Sequence, residues 1–278
     1  MSSTPRSALA QRALTAGILA PLGILAVLLL PTVGFALLLG SLCALGMREW
    51  VRMAGPSPTA LRIALFGAGI ALMLVLGLQH RELLRQVSLV GLVFWCLAPL
   101  WLRAFEFGSL RSRRYTLLKL VAGLLVIVPA WCAGVYLHGE GARGPLWVLF
   151  VVVLIWCADV FAYFTGRRFG GRKLAPRISP GKTWAGVYGA FGGAVLYAAI
   201  CGYALGLRGP ALLGLIVLSL LTVALSIVGD LFESLIKRHA GAKDSGSLLP
   251  GHGGVLDRFD SLFAALPVFV AGKMLLGL

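Results

Sequence analysis

Residues 211–229 read ALLGLIVLSLLTVALSIVG, and residues 63–78 read IALFGAGIALMLVLGL. Neither stretch holds a charged residue, and neither alternates apolar with polar positions as a helix with one wet face does. A bilayer core about 30 Å thick is crossed by about 20 helical residues. Runs of this kind recur along the 278 residues, of which 59% are hydrophobic and 13% charged. The chain is therefore expected to be an all-α, polytopic membrane protein with about nine transmembrane helices. The spans fall near 11–30, 33–50, 61–78, 86–102, 117–137, 145–164, 185–206, 211–229 and 259–277. The first begins with Arg6 and Arg12 like a signal peptide, but no A-x-A site follows its apolar run, which predicts an uncleaved helix.

Orientation follows from the basic residues, which are retained on the cytoplasmic side. With the N-terminus inside, 20 of the 25 Lys and Arg residues lie inside, and only Arg81, Arg85, Arg143, Arg208 and Lys273 lie outside. The net charge of +15 then reflects topology beside anionic membrane lipids and needs no nucleic acid. Cys43, Cys96, Cys132, Cys157 and Cys201 all fall in spans without metal-site spacing and read as packing residues. His80 and His138 read as solvated loop residues at the outer surface, and Trp101, Trp147 and Trp184 as interfacial indoles at span ends. Gly189 and Gly193 form a G-x-x-x-G step suited to close helix packing.

The acidic residues divide the chain. Residues 1–144 hold Glu49, Glu82, Glu106 and Glu140, at loops or span ends, whereas Asp159, Asp230, Asp244, Asp257 and Asp260 all follow. A charge at mid-bilayer costs about 3 kcal/mol on insertion scales, so acids at membrane depth mark function or pairing. The chemistry is expected in a catalytic region, 145–278, behind an N-terminal set of transmembrane helices, 1–144. If the eighth span continues as a helix, Asp230, Glu233, Ser234 and Lys237 recur at i, i+3, i+4 and i+7 on one face. Asp257 and Asp260 likewise share a face at the start of the ninth. Carboxylates beside Lys and Arg suit phosphoryl or nucleotidyl transfer, since oxygen ligands hold Mg²⁺ and cations hold phosphates. An interfacial salt-bridge network has the same spacing. The loop between, with Gly241, Gly246, Gly251, Gly253 and Gly254, offers N–H groups that could cradle phosphates. Gly181-Lys182-Thr183 is not a Walker loop, because Pro176 stands where that motif needs glycine.

Residues 234–260, SLIKRHAGAKDSGSLLPGHGGVLDRFD, resemble the signature of the phosphatidate cytidylyltransferase (CDP-diacylglycerol synthase) family. Ser234, Lys237, Arg238, Lys243, Asp244, His252, Gly253, Gly254, Asp257, Arg258 and Asp260 stand at its fixed positions. The segment from Asp159 to Gly186 is similar to the family as well, through Ala162-Tyr163, Gly166-Arg167, Lys173-Leu174, Ser179-Pro180 and Lys182-Thr183. It departs at Gly181, where many members have lysine, and at Ala185, where they have glutamate.

The resemblance implies that the phosphate of phosphatidic acid attacks the α-phosphate of CTP, with Mg²⁺ as cofactor and pyrophosphate as leaving group. On this reading Asp230 and Asp257 are expected as metal ligands, with Asp260 and Asp244 as supports or further ligands. Lys237, Arg238, Lys243 and Arg258 would hold phosphates. Ser179, Lys182 and Thr183 would face CTP or the lipid headgroup, and Ser234, His252, Gly253 and Gly254 complete the substrate-binding set. A bacterial inner (cytoplasmic) membrane with the site facing the cytoplasm is expected. A homo-oligomer is compatible with the sequence, which does not set that state. The alternatives are a polyprenol or dolichol kinase-like phosphotransferase and an anion transporter; the D-G-x-x-A-R pattern of CDP-alcohol phosphotransferases is absent.

The basic asymmetry predicts that a single cysteine at Ser179, in a background lacking the five native cysteines, reacts with an impermeant maleimide only once the inner face is exposed. Labelling in intact cells would contradict the orientation.

Overall fold

The computed structural model describes residues 5–55, 58–78, 81–246, 248 and 253–278, with side chains from Gly17 onward. Its helices are α1 (Pro5–Leu29), α2 (Thr32–Met53), α3 (Thr59–Gly77), α4 (Arg81–Arg103), α5 (Arg113–His138), α6 (Gly144–Phe169), α7 (Trp184–Ala204), α8 (Gly209–His239) and α9 (Leu256–Leu276). Each coincides with an expected span. Among the described residues α2 to α9 are long and apolar enough to cross a membrane, and α1 contributes the apolar stretch Gly17–Leu29. The protein is an all-α, multi-pass membrane protein.

The helix α5 lies at the centre because its residues are apolar and often small on every side. Val126 to Val135 are buried without a break. Gly123 is where the indole of Trp50 on α2 seats, leaving no room for a Cβ, and Trp50 Nε1 donates to Lys119 O at 2.7 Å. The helices α6 and α7 meet through the G-x-x-x-G step: Thr165 lies over Gly189 and Phe161 over Gly193.

Two outer-end expectations change. His138 is buried, stacked on Phe35 with centroids 4.3 Å apart, with Nδ1 3.1 Å from Thr32 Oγ1 and Nε2 2.9 Å from Val27 O. A histidine that ends a central helix meets α1 and α2 instead of water. Trp147 is also buried, under Lys273 and against Phe269, while Trp184 stays exposed at the start of α7. His80 lies outside the described residues.

The one long departure in helix length is α8. Its 31 residues at about 1.5 Å each extend well past the hydrocarbon thickness. Phe232, on this extension, is fully buried among aromatic rings, with centroids 5.3 Å from Trp101, 5.4 Å from Phe94, 5.9 Å from Trp95 and 6.2 Å from Trp50. Trp95 Nε1 in turn donates to Phe263 O on α9 at 3.0 Å. These contacts with α2, α4 and α9 hold the last turns of α8 in one orientation.

Between α6 and α7 the chain forms an antiparallel hairpin of β1 (Lys173–Ala175) and β2 (Ser179–Thr183), with Lys173 opposite Thr183 and Ala175 opposite Ser179. The turn out of α6 uses Gly170 and Gly171 at φ 55° and 80°, a region that favours glycine. The hairpin lies on α8 because Ile178 is buried with Leu231 and Leu235, and Arg238 Nε donates to Ile178 O at 3.1 Å. Its tip is held to the α4–α5 loop. Arg177 pairs with Glu106 and lies 4.2 Å over the Phe105 ring, and His239 Nε2 donates to Phe105 O at 2.7 Å. The hydrogen bond and charge of Arg177 hold the Glu106 carboxyl below the usual carboxylate range.

A Cβ on Gly193 would fall 2.7 Å from the Phe161 ring, whereas one on Gly192 meets nothing within 4 Å. Gly193→Val should therefore cost about 1–3 kcal/mol and lower the melting temperature in detergent, while Gly192→Val should not. Equal melting temperatures for the two variants would contradict the α6–α7 packing.

Candidate active site

The stripe expected on α8 forms. Asp230, Glu233, Ser234 and Lys237 lie along one side of α8, Lys237 reaching Asp257 of α9 and Asp230 reaching Lys182 of the hairpin, and α8 and α9 approach closely at Gly229, where a Cβ would lie 2.7 Å from Asp260 O and 3.0 Å from Ala264 Cβ. Lys237 Nζ sits 3.1 Å from Glu233 Oε1 and 2.7 Å from Asp257 Oδ1, with all three side chains no more than 10% exposed. Asp260 Oδ1 accepts from Ser261 N at 2.6 Å, and the carboxylate interacts electrostatically with Asp230, Lys237 and Lys182.

The hairpin supplies a second cation. Lys182 Nζ lies 2.5 Å from Asp230 Oδ2, while Ser234 Oγ donates to Asp230 Oδ1 at 3.3 Å. Asp159 on α6 interacts with both Lys182 and Asp230. Asp159, Lys182 and Asp230 line a cavity of about 370 Å³ between α6, α7 and α8, with Tyr163, Arg167, Gly181 and Thr183 beside them and Val187, Val223 and Ile227 as apolar wall. Thr183 also caps α7, its Oγ1 accepting from Gly186 N at 3.2 Å. Ser179 is half-buried in β2. Gly181 has open space around it.

The glycine-rich loop differs from its expectation. Asp257 Oδ2 accepts from Ser245 N at 3.0 Å, Ser245 Oγ at 3.0 Å and Gly254 N at 2.8 Å. Val255 N and Leu256 N donate to Glu49 Oε1 and Oε2 at 3.1 and 2.9 Å. The amides at the start of α9 thus hold the protein's own carboxylates rather than standing ready for a phosphate. The glycines have a matching cause: a Cβ on Gly253, at φ 79°, would fall 2.7 Å from Asp257 Oδ2, and one on Gly246 would fall 2.5 Å from Glu49 Oε1. Glu49 itself belongs to α2, in the half of the chain expected to lack chemistry. It is the functional-region residue that sequence reasoning missed, and its only signal was an acid closing an apolar run.

The structure brings together Asp230, Ser234, Lys237, Asp257, Asp260 and Lys182 among the expected site residues. Arg238 instead clamps the hairpin, donating also to Ala242 O at 3.4 Å. Lys243, Asp244 and Arg258 are exposed at the rim, and Gly253 and Gly254 flank Asp257 and Glu49. His252 lies outside the described residues.

Among the described residues no three His, Cys, Asp or Glu side chains form a ready-made metal cluster. Mg²⁺ does not require one, since it is commonly held by one or two carboxylates, with waters and substrate phosphates completing the octahedron. The donor set fits such an ion. Five carboxyl groups, those of Asp159, Asp230, Glu233, Asp257 and Asp260, stand among two ammonium groups, Lys182 and Lys237, so carboxyl oxygens outnumber the cations that pair with them. Among the described residues both Glu233 oxygens are buried with no donor besides the Lys237 ammonium, which lies 3.1 Å from Oε1.

The chain matches the model of the "Cytidylyltransferase family" over residues 10–275. It is 42% identical to a phosphatidate cytidylyltransferase of Pseudomonas aeruginosa over 264 residues, 95% of this chain and 96% of that one. A phosphatidate cytidylyltransferase of Haemophilus influenzae is 38% identical over 283 residues, covering 94% and 97%. One of Staphylococcus epidermidis is 32% identical over 190 residues, covering 67% and 70%. With an ion-paired carboxylate face beside a cavity between membrane helices, and similarity along nearly its whole length, this chain is a nucleotidyltransferase of the cytidylyltransferase family.

Proposed function

We propose that the protein transfers a cytidylyl group from CTP to phosphatidic acid at the cytoplasmic face of a bacterial inner membrane. The observation that carries this reading is the placement of Lys182 and Asp230, 2.5 Å apart, in a cavity with an apolar wall of membrane helices. A diacyl substrate needs that combination: its chains stay in the bilayer while its phosphate reaches a polar floor. A phosphate oxygen of phosphatidic acid forms a bond to the α-phosphorus of CTP, and the bond from that phosphorus to the bridging oxygen breaks, releasing pyrophosphate.

In-line displacement between two polyanions is limited by charge and alignment. Lys182 and Arg167 line the cavity and would hold the lipid phosphate, with Ser179 and Thr183 on the same hairpin. Lys237 fixes Asp257 and Glu233 in register. Lys243 and Arg258 are exposed beside this carboxyl cluster and would meet triphosphate oxygens there, with Asp244 next to them. Asp230 and Asp257, supported by Asp260, would hold Mg²⁺, whose role when bound is to neutralise phosphate charge. The orientation rests on the basic asymmetry and on α8, whose polar end carries Lys237, Arg238 and His239.

Purified protein given labelled CTP, phosphatidic acid and Mg²⁺ should form lipid-linked cytidylate and release pyrophosphate. Release of CDP would indicate a kinase, and no lipid product with any divalent ion would overturn the proposal.

Lys182→Met removes the cation 2.5 Å from Asp230 and should lower kcat/KM for phosphatidic acid about a hundredfold, or about 2.7 kcal/mol. A value within about twofold of wild type would exclude Lys182 from the lipid-phosphate contact. Asp257→Asn exchanges an anion that serves Lys237, Ser245 and Gly254, so activity should fall about a hundredfold or more and the melting temperature should fall with it. Retained activity with an unchanged Mg²⁺ titration would remove Asp257 from the metal.

A further inference from the structure

We propose that Glu49, on α2, is a positioning residue of the transfer site: it holds the first turn of α9 and, through Ser245, sets the place of Asp257. The inference rests on the reading of Asp257 as part of that site.

Glu49 is 1% exposed, and among the described residues no Lys, Arg or His forms an ion pair with it. A buried carboxylate without a cation persists only where donors surround it. Here they are two amides at the start of α9, Val255 N at 3.1 Å and Leu256 N at 2.9 Å, together with Ser245 Oγ at 2.9 Å. The positive end of a helix dipole favours an anion at this place. Capping from within would use a neighbouring residue, yet Glu49 reaches across about 200 residues of chain.

Ser245 joins this contact to the catalytic turn. Its hydroxyl lies 2.9 Å from Glu49 Oε2 and 3.0 Å from Asp257 Oδ2. A hydroxyl carries one proton, so it serves the two carboxylates jointly and ties their positions together. The space is cleared for Glu49 by glycines: a Cβ on Gly246 or on Gly254 would collide with its carboxylate. The helix of Glu49 is itself immobilised, since Trp50 is 1% exposed and donates to Lys119 O. A rigid element of the N-terminal half thereby sets a loop and helix start in the catalytic half.

Glu49→Gln keeps size but turns an NH₂ group toward Val255 N–H or Leu256 N–H, setting donor against donor. Ser245→Ala removes only the shared hydroxyl. With both variants and wild type purified in lipid nanodiscs, kcat per folded molecule should fall about tenfold to a hundredfold, as for loss of groups that orient ligands. KM for CTP should stay within about threefold. Amide hydrogen exchange in residues 240–258 should quicken in both. Variant kcat at the wild-type value, or a loss that merely follows the unfolded fraction, would overturn the inference. If Glu49→Gln does not fold, Ser245→Ala decides alone by the same readouts. A wild type without turnover overturns the functional reading and this inference with it, whereas active wild type with unchanged variants overturns the inference alone.

Discussion

One ammonium group, Lys237, stands between Glu233 and Asp257 where α8 and α9 meet at the end of the membrane region. Removing one partner from such a buried pair costs about 3–5 kcal/mol, because the remaining charge is left without compensation. The two helices are therefore committed to one register, and the other contacts are consistent with it. Gly229 admits the backbone of Asp260, Phe232 fills the aromatic pocket behind, and Asp230 and Asp260 come to lie beside each other on the flank that meets the hairpin.

From that register the cavity follows. The hairpin reaches α8 through Ile178 and Arg238, and this contact is what delivers Lys182 to Asp230. Its tip is tied to the α4–α5 loop by Arg177, and the end of α8 is tied to the same loop by His239. Polar groups thus collect on the floor while helices α6 and α7, packed through Gly189 and Gly193, provide the apolar side. A reaction between a nucleotide and a lipid phosphate needs this meeting of a charged floor with a membrane-facing wall.

Much of this was legible in the sequence, for definite physical reasons. Runs such as 63–78 and 211–229 announce spans because nothing in lipid satisfies an exposed backbone, so apolar length maps onto helix. The α8 stripe was readable because helical period alone puts Asp230, Glu233, Ser234 and Lys237 on one face. The hairpin was not: KLA and SPGKT carry no alternating pattern, and their pairing depends on Ile178 finding Leu231 and Leu235. Glu49 and His138 were misjudged for a related reason. A lone polar residue at a span end reads as interfacial, and only tertiary packing gives Glu49 the amides of α9 or His138 the carbonyl of Val27. The glycine-rich loop read as a phosphate cradle, whereas the amides of Ser245, Gly254, Val255 and Leu256 are bonded to Asp257 and Glu49.

The carboxyl groups of Asp230, Asp257 and Asp260 would together hold a divalent cation for nucleotidyl transfer. Mn²⁺, which shares the oxygen-ligand preference of Mg²⁺, reports on it through electron paramagnetic resonance. With the protein in nanodiscs and CTP held constant, wild type should lower the free Mn²⁺ signal beyond what CTP alone removes, and Asp230→Asn should abolish that extra, saturable loss. Identical free Mn²⁺ signals for wild type, Asp230→Asn and empty nanodiscs would contradict the claim.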